Sequence, residues 1–156
     1  MMKRILFIAL VCLLTCAFIG CDTSDKNSSI SNPVEGEREE KEGAVMKYKS
    51  NTNTSLSVVM ENNTDSVWQS GNMKDYRLEA ERDGAWYEVE QKGEFANTME
   101  LLLFAPGETL DHTFEFADRY GTLSAGKYRV VKSWWANATE TSEAHEFYLI
   151  CEFTVE

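Results

Sequence analysis

The 156 residues are 43% hydrophobic and 12% aromatic, enough for one domain with a real core. Net charge is −11; setting aside Lys3 and Arg4 near the N-terminus leaves 13 of the 15 basic residues against 26 acidic ones, a net −13. So acidic a surface repels phosphate backbones and anionic headgroups, which argues against nucleic acid as a partner, and its ordinary effect is solubility.

Residues Met1 to Gly20 begin with Lys3-Arg4 and continue in a mostly apolar run from Ile5 to Ile19. At about 15 residues, that run is shorter than the roughly 20 a spanning helix needs, so 1–20 reads as a secretory signal peptide. It ends in Phe18-Ile19-Gly20-Cys21, which resembles a bacterial lipobox, with Phe18 where leucine is usual. The resemblance implies diacylglycerol on Cys21 and a mature chain anchored on the extracytoplasmic face of the cell membrane. The alternative is an ordinary signal peptide cut nearby, with Cys21 an incidental thiol. Cys12 and Cys16 lie in the leader, so lipidation of Cys21 leaves Cys151 with no partner for an intramolecular disulfide.

Residues 21–43 hold few apolar side chains and include the run Glu35 to Glu42. That composition predicts a disordered acidic tether of ~22 residues, spanning roughly 25 Å as a random coil. A helical turn within Glu35 to Glu42 would change little.

From Ala44 to Glu156 the pattern is short strands and turns, without sustained helical periodicity. Ala44 to Lys49 predicts an edge strand. Leu56, Val58 and Met60 alternate with polar neighbours, giving a strand with one buried face that ends at the turn Asn62-Asn63-Thr64-Asp65. That turn lacks the ligand ladder of a calcium loop. Tyr76, Leu78 and Ala80 alternate likewise, and Asp83-Gly84 before Tyr87 and Val89 is a strong hairpin signal of type I′. Met99 to Phe104 predicts a strand covered on both faces. Leu110, His112, Phe114 and Phe116 share one face, which makes His112 a neutral, hydrogen-bonded core histidine. Gly126 then turns the chain into Tyr128, Val130 and Val131, a central strand whose tyrosine has the setting of a tyrosine corner, its hydroxyl bonding upstream backbone. Phe147, Leu149, Cys151, Phe153 and Val155 line one face of the last strand, with Cys151 a small buried hydrophobe. About eight short antiparallel strands in roughly 110 residues predict an all-β, immunoglobulin-like sandwich.

Several segments together resemble a family. They are Glu61-Asn62-Asn63, Asp83-Gly84-Ala85-Trp86-Tyr87, Leu103 to Glu108, and Tyr120-Gly121 through Leu123 and Gly126 to Lys132. They are similar to a bacterial immunoglobulin-like domain family of secreted and lipid-anchored proteins, over about Leu56 to Trp135. The resemblance implies an immunoglobulin-like sandwich and carries over no catalytic residue, cofactor or ligand.

The residues themselves offer little catalytic equipment. His112 and His145 are the only histidines, no Gly-x-Ser-x-Gly elbow occurs, and no His-Glu-x-x-His or Cys-x-x-Cys pairing offers zinc ligands. The expectation is therefore a non-catalytic module with no cofactor and no metal. The adjacent Trp134 and Trp135 must point to opposite faces of their strand, so one is core and the other is free. With Trp86, and with Trp68 or Tyr148 nearby, the free ring would form a platform for an envelope protein or, alternatively, for a cell-wall glycan. The segments Ser66 to Lys74 and Asn137 to Ala144 are the candidate binding loops.

Overall fold

Alternation decides which side chains enter the core: Leu56, Val58, Met60 and Asn62 are each 0% exposed, while the residues between them are half-buried. The structure is a computed structural model and describes residues 29–93, 100–136 and 144–156. The strands are β1 (Ile30–Pro33), β2 (Ala44–Asn51), β3 (Ser55–Asn62), β4 (Trp68–Ser70) and β5 (Arg77–Arg82). They continue with β6 (Ala85–Val89), β7 (Leu102–Phe104), β8 (Thr109–Glu115), β9 (Gly126–Ala136) and β10 (His145–Val155).

Two antiparallel sheets form an immunoglobulin-like sandwich, as the strand pattern predicted. One runs β2-β3-β8; the other runs β1-β6-β5-β9-β4-β7, with β10 also paired to β9. The central strand is β9. It pairs with β10 from Gly126↔Val155 to Ala136↔His145, while β5 and β4 divide its other edge. Between the sheets, Trp68 packs against Phe147, Phe104 and Trp134 with ring centroids 5.0, 5.4 and 6.1 Å apart. Phe153 stacks on Phe116 and Tyr128 at 5.6 and 5.8 Å. Cys151 is free and buried, its thiol pushed up to about 11 by burial first and the Glu152 charge second.

Local signals hold in detail. Asp83 (φ 54°) and Gly84 (φ 79°) both lie in the left-handed region a type I′ turn demands, and Arg82 pairs with Ala85 across it. The Tyr128 hydroxyl donates to the Ser124 carbonyl at 3.1 Å, so the tyrosine corner is present. The Asn62 side chain closes its own turn, donating to the Ser66 and Phe104 carbonyls and accepting from the Thr64 amide and hydroxyl.

Two expectations are corrected. Residues 29–43 are not a free tether: β1 pairs with β6, and Val34 and Tyr148 donate their amides to the Trp86 and Glu39 carbonyls. Weighing apolar burial against chain entropy misses this strap, because strand pairing and ion pairing hold it instead. Second, the strand near Met99 to Phe104 is not covered on both faces. Of its described residues, Glu100 to Phe104, only Leu102–Phe104 form a strand, β7, with Leu101 and Leu103 exposed and Phe104 buried; Met99 lies outside the described residues. The leader 1–20, Cys21, residues 22–28 and most of the Asn137 to Ala144 loop (137–143) lie outside the described residues.

Candidate functional site

Strand parity puts Lys127, Arg129, Val131, Ser133 and Trp135 on the outer face of β9, and Tyr128, Val130, Lys132, Trp134 and Ala136 on the core face. Trp134 is 1% exposed and belongs to the core, so it leaves the candidate surface; Trp68, at 0%, does the same. Trp135 and Trp86 are half-buried on the outer face. They do not form one platform. Trp86 sits level with Lys127, eight residues and therefore about 26 Å along β9 from Trp135.

Cations already occupy the Trp86 end. The Arg129 guanidinium lies 4.3 Å and the Lys127 ammonium 5.2 Å from the Trp86 ring centroids. Next to them Glu79 is fully buried, its two oxygens taken by Arg129 Nε at 2.6 Å and Arg38 at 2.5 Å. Arg38 comes from the strap and also covers the Tyr148 ring at 5.2 Å.

The Trp135 end is open. A cleft of about 230 Å³ is lined by Asp75, Arg77, Ser133, Trp135, Glu146 and Tyr148, with Tyr76 and Val131 also in its wall. Ser66 to Lys74 contributes β4, paired between β9 and β7, and a buried Asn72 rather than a free loop.

Sequence reasoning passed over one buried group. Lys132 is 0% exposed inside the sandwich, its ammonium donating to Ser70 Oγ at 2.6 Å while Ser70 donates to the Ser133 carbonyl at 2.8 Å. Burial lowers Lys132 to about 8, against the opposing pull of the Asp75 charge. The alternation from Tyr128 to Trp134 assigns Lys132 to the inner face, so the signal was in the sequence. With the ammonium donating and the Ser70 proton on the Ser133 carbonyl, the pair is not arranged as a general base beside a nucleophile. With Ser70 at 2% exposure the pair is closed to substrate, and it works as a structural contact.

His112 is half-buried against Phe114, ring centroids 4.7 Å apart, and its pKa is lowered by burial first and the Lys132 charge second. His145 is exposed and lies 2.9 Å from Glu39. No trio of histidine, cysteine and carboxylate side chains gathers as a metal site among the described residues.

No curated protein matches the chain. A family model described as a bacterial Ig-like domain matches residues 40–148, enclosing the Leu56 to Trp135 stretch that carries the motifs and most of the sandwich. The chain belongs to that bacterial Ig-like domain family.

Proposed function

We propose that the protein is a lipid-anchored, extracytoplasmic binding module without catalytic activity, attached through Cys21 and recognising an envelope protein. Membership of the bacterial Ig-like family supports an extracellular interaction role, and the leader ending in Gly20-Cys21 supports the anchor. The observation that carries the binding role is the cleft at Trp135, where three aromatic side chains meet three charged ones. Cys21→Ser, or globomycin treatment, should release the protein from the membrane fraction; retention in both cases would refute the anchor. Cross-linking in intact cells should trap a partner that is lost in Trp135→Ala, whereas a partner pattern indifferent to that change would refute the cleft.

A glycan is the second reading, because Trp135 and Tyr148 can offer ring faces beside polar groups, as sugar sites require. Titration with a cell-wall glycan panel decides it: saturable quenching of tryptophan fluorescence supports it, and a flat response removes it.

A further inference from the structure

Resting on the binding-module proposal above, we infer that the cleft at Trp135 takes a basic side chain, arginine or lysine, from an extended segment of the partner protein. Three observations lead there.

The first is size. At about 230 Å³ the cleft falls below the roughly 300 Å³ at which sites for whole small molecules begin. It suits one side chain rather than an oligosaccharide.

The second is charge. Asp75 and Glu146 flank the cleft against Arg77 in its lining, and the Asp75 charge also acts on the buried Lys132. Neither carboxylate makes an ion pair among the described residues, unlike Glu79, Glu81 and Glu152 on the same sheet face. The chain as a whole is acidic, with 26 acidic residues against 15 basic, so a basic segment is also drawn in from a distance.

The third is internal precedent. This sheet face already seats cations on aromatic rings beside carboxylates. Arg38 sits over Tyr148 with its charge on Glu79, and Arg129 sits over Trp86 with its charge on the same Glu79. The Trp135 cleft repeats those ingredients with the ring of Trp135 and acids from Asp75 and Glu146, and no cation of the chain lies over Trp135 among the described residues, whereas Tyr148 already carries Arg38. A ring face supplies attraction for a desolvated cation, and the carboxylates supply direction.

The test uses the isotope-labelled full chain in detergent. It is titrated with acetyl-Gly-Arg-Gly-amide, with the same peptide carrying neutral citrulline, and with acetyl-Gly-Glu-Gly-amide, while the indole N–H resonances are followed. The Trp135 resonance, assigned from Trp135→Phe, should shift saturably with the arginine peptide. Binding should be about tenfold weaker for citrulline, the loss expected when a cation–π contact and its charge pairing go. The glutamate peptide should give no shift. Glu146→Gln, at an exposed position that leaves the core untouched, should weaken arginine binding about threefold, the scale of a rim ion pair. Equal binding of arginine and citrulline peptides overturns the proposal, as does a silent Trp135 resonance. A glycan that shifts this resonance when the arginine peptide does not assigns the cleft to sugar instead. If cross-linking still traps a Trp135-dependent partner while the peptides are silent, this inference falls and the binding-module proposal stands; if both fail, both fall.

Discussion

Arg38 reaches Glu79 at 2.5 Å from 41 positions away in the sequence, and it does so onto a carboxylate with no exposed surface. Arg129 holds the other oxygen, so Glu79 is satisfied only while the strap stays in place. Without Arg38 the carboxylate keeps Arg129, but one oxygen of a buried charge loses its charged donor, a loss of up to about 3 kcal/mol. Arg38→Met should therefore lower stability by up to about 3 kcal/mol in urea melts. It should also speed hydrogen exchange at the Val34 and Tyr148 amides, which the strap ties down. Adding Glu79→Gln should recover part of the loss. A cost under about 0.5 kcal/mol would mean that the strap is not held by this pair.

Lys132 predicts an unusual pH profile. Its folded pKa of about 8 lies below the ordinary 10.5, so between those values the unfolded chain binds more protons than the folded one. Stability then rises with pH from about 8, since the cost of burying the charge disappears as the folded lysine loses its proton. The buried Cys151 thiol acts oppositely above pH 9, its ordinary value, and so do the Tyr76 and Tyr120 phenols above 10, because burial raises all three. The net expectation is a stability maximum near pH 9. Lys132→Met should abolish the rise and stabilise the domain at pH 7 by up to about 3 kcal/mol. Urea midpoints from pH 7 to 10 for both proteins check it; parallel curves would refute a charged, buried Lys132.

The tyrosine corner separates ring from hydroxyl. Tyr128→Phe removes only the bond to Ser124 and should cost about 1 kcal/mol. Tyr128→Ala empties a core site stacked on Phe153 and should cost roughly 3–5 kcal/mol. Equal losses in the two variants would show that the ring contributes nothing.

At the β5–β6 turn the cost is one of backbone alone. A Cβ at Gly84 would meet nothing within 4 Å, but φ of +79° disfavours any side chain. Gly84→Ala should lower stability by about 1 kcal/mol without altering the core. An unchanged melting temperature would mean that the turn relaxes to another type.

What the sequence showed clearly was whatever a few neighbouring residues encode. Asp83-Gly84 specifies its own turn, Tyr128 its own corner, and the period of two assigns faces along β3, β8, β9 and β10. Trp134-Trp135 was legible as a split pair, but which ring is buried depends on the sheet to which β9 belongs. The strap was illegible for the opposite reason: Arg38 finds Glu79, Tyr148 finds Glu39, and neither pairing leaves a local pattern. Around β7, the apolar run suggested cover on both faces, yet Leu103, and Leu101 just before the strand, are exposed. Lys132 was readable from parity alone, although residue type places lysine outside by default. The cleft shares this limitation, since Trp135, Asp75 and Tyr148 meet only after three strands align.

The strap has a further consequence for how the protein searches. Docking of β1 onto β6 moves the start of the folded body up to Ile30, only nine positions beyond Cys21. With lipid on Cys21, as proposed, the leash extends at most about 30 Å, and its end is fixed to one edge of a sheet. A domain held so short cannot fish through the depth of the envelope. On that proposal it would patrol a thin layer beside the bilayer, where encounters would be governed by lateral diffusion of both molecules in two dimensions, and where its partner would also have to reside or reach down.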